Sequence, residues 1–297
     1  MDFYISWSHS DANFIDYFPD CFMLVSAVPD NRGSLRRFQK KPRKLLVDCG
    51  SVYYVKQKER PSLKEVYDIQ ASIYDGCPVS TEVTLVHFDE PMLYKETLSQ
   101  KYYSMERTLF NANEYITLIN SFKDERLSCM GVIQGFDEAS IIYSAFELQK
   151  MGYKKFGIGS LLKKNLSEQI AIIKLASNIV GASNLHVFGV TGLLPIKTMI
   201  DLGIASCDST RPTMAAAFYQ VFYSNPFRTF YLAESHAKPS SPNRLESPLP
   251  CLCPICKNNA NEILIPSPRE YMRLRSVHNY FHLTEEINEM KRNKGVV

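Results

Sequence analysis

"LSCMGVIQGFDEASIIYSAFELQKMGYKKFGIGSL", residues 127–161, is the stretch that decides the fold. It begins and ends with short, almost continuous apolar runs, at 127–135 and 154–161. Such runs are typical of strands that are buried on both faces of a parallel sheet. Between them, residues 137–153 repeat apolar side chains at helical spacing, begin with two acids and end at a glycine, which are the usual boundaries of a helix. The stretch therefore predicts a strand–helix–strand unit.

The same alternation recurs along most of the chain. Further strands are predicted at 21–28, 44–50, 82–90, 184–191 and 203–210. Further helices are predicted at 62–76, 167–183 and 194–203. In a chain of 297 residues, this pattern predicts an α/β fold, a (β/α)8 barrel of the TIM type, with an open doubly wound sheet as the alternative. No Gly-x-Gly-x-x-Gly sequence follows the first predicted strand, which argues against a dinucleotide-binding domain.

Composition and charge limit the kinds of function that are compatible with this sequence. The net charge is only +3, so any contact with nucleic acid must come from local patches. No apolar run reaches the length of a membrane span, and the N-terminus lacks the basic start of a secretory signal. Eight cysteines without such a signal favour reduced thiols and a cytoplasmic location.

The character of the sequence changes after about residue 222. Residues 224–250 are rich in proline and serine and are typical of an irregular loop. A cysteine cluster follows, and then a helix predicted over 268–292. We therefore expect a barrel with catalytic strand ends at 1–222. The remainder, 223–297, is expected to form a zinc-binding subdomain of loop, cysteine cluster and C-terminal helix that packs on the barrel.

The cysteine cluster has the spacing of a metal site. Cys251, Cys253 and Cys256 can be presented together by one turn, and His278 on the last helix supplies a fourth ligand. Three thiolates and an imidazole suit tetrahedral zinc, and four protein ligands make the ion structural. The alternative is a set of free or disulfide-bonded cysteines. His282 lies one helical turn after His278 and is an alternative ligand.

Acidic and amide side chains follow several predicted strands, at Asp48, Asp89, Glu90, Gln134 and Asp208. In an α/β barrel the carboxyl ends of the strands carry the chemistry. For any one of these residues, capping of the next helix is the alternative interpretation. Two facing carboxylates can act as nucleophile and acid/base at a sugar C1′ atom.

A basic run covers residues 32–44, with seven basic side chains and no acid. Arg36, Arg37, Lys40 and Lys41 within it are candidates for contacts with backbone phosphates. A solvated loop is the alternative.

Taken in order, these motifs resemble the tRNA-guanine transglycosylase superfamily from about residue 44 to residue 280. The segments that carry the resemblance are "VDCG", "HFDE", "GVIQG", "GIGSL", "FGVT", "CDSTRP" and "CLCPIC" followed by "HN". The resemblance implies a zinc-bearing (β/α)8 barrel that exchanges a guanine in nucleic acid for a 7-deazaguanine base without cutting the strand.

The resemblance also implies individual roles. Asp208 would be the nucleophile and Asp48 the general acid/base. The base would be held by Asp89, Gln134, Cys49 and the Gly159–Ser160 pair. One structural zinc per chain would be bound by Cys251, Cys253, Cys256 and His278.

Two departures from the tRNA enzymes point to the DNA-modifying 7-deazaguanine branch of the superfamily. The chain has "DCGSVY" where those enzymes have "DSGGFQ", and it has "DSTRPT", beginning at Asp208, where those enzymes follow the nucleophile with a "PTR" stretch. DNA is therefore the favoured polymer and preQ0 the favoured base. The same exchange on tRNA is an alternative, and so is a non-catalytic subunit that binds nucleic acid. A dimer or a partner subunit is left open.

Overall fold

The computed structural model describes residues 1–92, 96–122, 124–161, 164–190, 192–232 and 243–295. They form two compact units, one of Met1–His9 with Asp20–Ser209 and the other of Ser10–Pro19 with Thr210–Val297. Among these residues, no helix is both long and apolar enough to cross a membrane. The boundary after residue 222 that the composition suggests stays a prediction.

The first unit is built on eight parallel strands that close into a barrel in chain order. The strands are β1 (Asp2–Trp7), β2 (Phe22–Ser26), β3 (Lys44–Asp48), β4 (Glu82–Val86), β5 (Leu127–Ile133), β6 (Lys155–Ile158), β7 (Leu185–Val187) and β8 (Ser206–Ser209). β1 pairs with both β2 and β8, which closes the sheet. The predicted TIM-type barrel is confirmed, and the open-sheet alternative is wrong.

The helices alternate with the strands along the chain. They are α1 (Phe14–Tyr17), α2 (Ser51–Tyr54), α3 (Leu63–Tyr74), α4 (Leu98–Ser121), α5 (Glu138–Lys150), α6 (Leu166–Val180), α7 (Leu193–Leu202), α8 (Arg211–Ala217), α9 (Pro254–Asn259) and α10 (Arg269–Asn293). The connection from β2 to β3 holds only two 3-10 turns, Pro29–Asn31 and Ser34–Arg37, so the alternation is incomplete there. α5 begins with a capping box in which the Asp137 side chain accepts from the Ser140 backbone, as the acids at its start suggest.

Alternation along the strands divides the barrel interior into layers. Leu24, Leu46, Val86, Met130 and Val132 form one buried apolar cluster, with Tyr4 and Phe188 packed against it. Two residues further along the strands, on the same side, the inward positions become polar, as at Ser6, Ser26 and Asp48. The apolar layer therefore supports a polar floor at the carboxyl end of the strands.

The second unit is organised around α10. A three-stranded sheet contains β9 (Gln220–Tyr223), β10 (Arg228–Leu232) and β11 (Arg244–Leu245). Fully buried Arg275 of α10 donates to the carbonyls of Ala216, Ile263 and Ile265 at 2.9–3.1 Å. A guanidinium that satisfies three buried carbonyls fixes the position of this helix and therefore of its histidines.

Candidate active site and metal centre

Asp48 ends β3 and is placed by a glycine turn. Its Oδ2 accepts from the backbone N–H of Gly50 at 3.1 Å, and Gly50 has φ of 75°. A Cβ on Gly50 would lie 2.9 Å from the Ala27 carbonyl oxygen, so both the backbone conformation and the space require glycine. Burial and the neighbouring charge of Asp89 raise the pKa of Asp48 to about 6. A carboxyl group with that pKa can give and take a proton near neutral pH.

Asp89 and Gln134 form a buried polar chain beside Asp48. Gln134 Nε2 donates to Asp89 Oδ2 at 2.5 Å, and Ser160 Oγ donates to Gln134 Oε1 at 2.7 Å. Ser160 has φ of 59°, a left-handed conformation that few non-glycine residues adopt. A Cβ on Gly159 would lie 3.2 Å from Gln134 Nε2, so a side chain there would crowd the amide. The structure thus brings the predicted base-binding residues of three strand ends together.

Cys49 completes this chain from the other side. Its side chain is fully buried, and its Sγ donates to Asp89 Oδ1 at 3.1 Å. Burial and the charges of Asp48 and Asp89 hold the pKa of Cys49 well above its usual range. The sulfur is therefore a neutral S–H donor here and not a thiolate.

Glu90, which the sequence pattern also placed at this strand end, has different partners. Arg60 Nη1 lies 3.1 Å from Glu90 Oε2, and the Glu90 backbone N–H donates to Thr108 Oγ1 at 2.9 Å. Its carboxylate is therefore committed to an ion pair.

Asp208 lies in β8 and is 5% exposed. Its Oδ2 accepts from Ser6 Oγ at 2.5 Å. Its Oδ1 accepts from the Gly189 backbone N–H at 2.8 Å and faces His186 Nε2 at 3.3 Å. Three hydrogen-bonding groups from β1 and the region of β7 therefore surround the two oxygens of this side chain.

Ser6 and His186 had not been singled out from the sequence. Ser6 lies in a strand that the apolar pattern did not identify, because "DFYISW" mixes polar and aromatic residues. His186 lies inside a predicted strand, where a histidine at an otherwise apolar position was the available signal.

Two other aspartates act on Asp48 electrostatically. The charges of Asp89 and Asp208 both raise the pKa of Asp48. The mouth of the barrel therefore combines a carboxylate that accepts three hydrogen bonds with a second carboxyl group whose pKa suits proton exchange near neutral pH. That division of roles is what a nucleophile and an acid/base require.

The basic run lies in the connection between β2 and β3. Arg36 forms an exposed ion pair with Asp75, and Lys41 Nζ donates to the Phe38 carbonyl at 2.7 Å and also to the Leu35 carbonyl. Arg37 and Lys40 are exposed. Lys41 thus contributes to the local loop structure, and Arg37 and Lys40 are the more accessible charges.

The candidate metal centre lies in the second unit. One ligand atom each from Cys251, Cys253, Cys256 and His278 falls within 4.8 Å of the others, so the cluster could hold a metal ion. All eight cysteines are free thiols, which contradicts the disulfide alternative. Hydrogen bonds from the other two thiols hold the pKa of Cys251 well below its usual range. Soft sulfur donors with one imidazole are the set that zinc prefers.

The two histidines of α10 have different hydrogen bonds. His278 Nε2 lies 2.8 Å from the Phe222 carbonyl, so that nitrogen carries the proton and Nδ1 presents a lone pair to the three sulfurs. His282 Nδ1 accepts from the Ser224 backbone N–H at 3.0 Å, so its Nε2 carries the proton and donates to Cys251 Sγ at 3.3 Å. The geometry therefore assigns the ligand position to His278 and a supporting position to His282.

Comparison with known proteins finds relatives of one kind. The profile of the queuine tRNA-ribosyltransferase family matches residues 26–293. A tRNA-guanine(15) transglycosylase of Pyrobaculum aerophilum is 25% identical over 212 residues, which is 69% of this chain and 40% of that protein. A DNA-guanine transglycosylase of Salmonella montevideo is 24% identical over 194 residues, 62% of this chain and 45% of that protein. The chain therefore spans less than half the length of either relative.

Proposed function

This chain belongs to the queuine tRNA-ribosyltransferase family, and on that premise we propose that it is a guanine transglycosylase, a pentosyltransferase that replaces guanine in nucleic acid by a 7-deazaguanine base. The observation that carries the proposal is the pairing of Asp208 and Asp48 in one barrel mouth. One carboxylate accepts three hydrogen bonds, and the other has a pKa of about 6.

Asp208 is the nucleophile in this proposal. Its carboxylate attacks C1′ of the target nucleotide as the C1′–N9 bond breaks, and the electron pair leaves with guanine. The covalent aspartyl–glycosyl ester keeps the polymer intact while the bases exchange. Three hydrogen bonds hold the two oxygens of this carboxylate in a fixed orientation, which suits attack on C1′.

Asp48 is the general acid/base. Guanine needs a proton as it departs, and the incoming 7-deazaguanine loses one from its five-membered ring as it attacks the ester. A single carboxyl can serve both steps in turn, and the match between its pKa and neutral pH favours this use.

The buried chain around Asp89 is proposed to bind the base. Guanine presents N–H donors and one carbonyl acceptor on its Watson–Crick edge. The Asp89 carboxylate can accept from those N–H groups, and the Gln134 amide can donate to the carbonyl. Cys49, Gly159 and Ser160 hold this pair in register, since Cys49 and Ser160 bond its two members and Gly159 leaves room for the amide.

DNA is the polymer we favour, with preQ0 as the base. The "DCGSVY" and "DSTRPT" segments support this choice, as does the similarity to a DNA-guanine transglycosylase. Exchange on tRNA is the second candidate, because the chain is also similar to a tRNA-guanine(15) transglycosylase. In either polymer the target base must leave its stack, which costs a few kcal/mol. Exposed Arg37 and Lys40, with Arg36 and Lys41 beside them, are the proposed phosphate contacts.

Cys251, Cys253, Cys256 and His278 are proposed to bind one structural zinc. The protonated Nε2 of His278 and the free-thiol state of the cysteines fit that ion. Four protein ligands leave no position for substrate, so zinc would supply stability and no chemistry. Free thiols throughout also suit the reducing cytoplasm, where we expect the reaction to take place.

The test is radiolabelled guanine exchange into DNA and tRNA in parallel. We expect the unmodified protein to incorporate labelled guanine into DNA, and we expect no incorporation by Asp208→Asn or Asp48→Asn. Incorporation into tRNA alone would overturn the choice of polymer and leave the chemistry standing. Binding without exchange on both polymers would favour a non-catalytic subunit.

A further inference from the structure

His186 is a buried polar residue in the barrel interior to which the proposed reaction gives no role beyond one hydrogen bond to Asp208. It lies in β7, is 1% exposed and contacts Asp208 directly. The ring stands edge-on to Phe188 and Tyr4, with centroids 4.6 and 5.9 Å away. These contacts leave the imidazole little freedom to turn.

The surroundings of the ring determine where its proton lies. Nε2 faces Asp208 Oδ1 at 3.3 Å, and that oxygen is an acceptor because it already receives the Gly189 N–H. A lone pair on Nε2 would repel it, so Nε2 carries a proton and donates. Nδ1 lies 2.8 Å from Ser206 Oγ, whose hydroxyl can donate to it and keep this tautomer.

The two oxygens of Asp208 are therefore not equivalent. Oδ1 accepts from Gly189 and His186, which occupies both of its lone pairs. Oδ2 accepts only from Ser6 among the hydrogen bonds described, and so retains a lone pair for bond formation. From this geometry we infer that His186 is a positioning residue that presents Oδ2 of Asp208 to the sugar, with Ser206 setting its tautomer. The inference rests on the proposed role of Asp208 as nucleophile.

Formation of the ester between Asp208 and the sugar needs no further reactant. The Oδ2 lone pair forms the bond to C1′, the C1′–N9 bond breaks, and its electron pair leaves on guanine, which takes a proton from Asp48. Oδ1 becomes the carbonyl oxygen of the ester and keeps both hydrogen bonds. His186 holds its proton throughout, so it orients the carboxylate and does not exchange protons with substrate.

A cavity beside His186 allows this role to be tested with small molecules. His186 and Ser206 line a space of about 510 Å3 at the amino ends of the strands, together with Tyr4, Lys44, Leu46 and Met130. It lies at the mouth opposite to the one that contains Asp48 and Asp89. Removing the imidazole would therefore open a hole that a free imidazole can enter while the other mouth stays occupied by nucleic acid.

The experiment is rescue of His186→Ala by small molecules. Loss of a hydrogen bond to a charged group should lower kcat for guanine exchange by about 10- to 100-fold, with KM for the nucleic acid unchanged. Imidazole in the assay should restore most of the rate. 1-Methylimidazole fills the same space but has no N–H to donate, and it should restore little. His186→Gln, whose amide offers an N–H, should lie closer to the unmodified protein.

The results of these assays separate the positioning role of His186 from the proposed function. An unchanged kcat in His186→Ala, or equal rescue by both imidazoles, would overturn the positioning role and leave the proposed function intact. Failure of the unmodified protein to exchange guanine on either polymer would instead overturn the proposed function, and this inference with it. Fluorescence of Trp7, the one tryptophan of the chain, reports whether the barrel of each variant is folded.

Discussion

Asp48→Asn should make the barrel more stable while it abolishes exchange. The pKa of Asp48 is about 6 in the folded protein and 3.8 ordinarily. Between these values the unfolded chain binds fewer protons than the folded one, so stability falls as pH rises from 4 to 6. The shift of roughly 2 pKa units corresponds to about 3 kcal/mol lost at pH 7, and the loss shrinks to roughly 0.5 kcal/mol at pH 4.

An asparagine at this position keeps an oxygen for the Gly50 N–H and removes the charge. The free energy of unfolding should therefore rise by about 1–3 kcal/mol at pH 7 and hardly at all at pH 4. Urea unfolding followed by the fluorescence of Trp7 measures it, because this tryptophan lies in β1 of the barrel and is 5% exposed in the folded protein.

Asp208→Asn is the matched control, with the opposite sign. Neutralising a carboxylate that accepts from Ser6, His186 and Gly189 removes charge-assisted hydrogen bonds and should cost about 1.5–3 kcal/mol. A loss of stability in Asp48→Asn at pH 7, or an equal gain at pH 4 and pH 7, would refute the electrostatic account of Asp48.

Three more predictions concern other parts of the chain. Metal analysis should find about one zinc per chain, and Cys253→Ser should lose both the zinc and cooperative unfolding of the second unit; an unaltered, metal-free protein would exclude the site. The double variant Arg37→Ser, Lys40→Ser should reduce the slope of log affinity against log salt by about 2 on duplex DNA. The control Lys64→Ser, on the exposed face of α3, should leave the slope unchanged. An equal slope in the unmodified protein, the double variant and the control would show that the basic run is a solvated loop. Gly50→Ala should destabilise the barrel by at least about 1–2 kcal/mol and reduce exchange, because a left-handed φ of 75° and a contact of 2.9 Å oppose any side chain there; wild-type stability and rate would show that the turn tolerates one.

The barrel could be predicted from local patterns, because most of its strands and several of its helices show their period in the sequence. β1 could not be predicted in this way, since Phe3 and Ile5 alternate with Asp2, Tyr4 and Ser6 and form no continuous apolar run. No helix is predicted between β2 and β3, and the structure places only 3-10 turns there, one of them within the basic run.

At the barrel mouth, only the residues that lie at the ends of strands could be predicted from the sequence. Asp48, Asp89 and Asp208 are recognisable by position, yet the donors to Asp208 come from residues as far as 202 positions away in the chain. Spacing alone cannot choose between His278 and His282, which lie one helical turn apart. Their hydrogen bonds to Phe222 and Ser224 make the choice, and those partners lie more than 50 residues away.

Trapping the covalent intermediate tests the central claim most directly. The protein would be incubated with guanine-containing DNA or tRNA without an incoming base, denatured, digested and mapped by mass spectrometry. The account predicts a glycosyl ester on the peptide that contains Asp208, present in the unmodified protein and absent from Asp208→Asn. An ester mapped to Asp89 or Asp48, or an adduct that persists in Asp208→Asn, would contradict it.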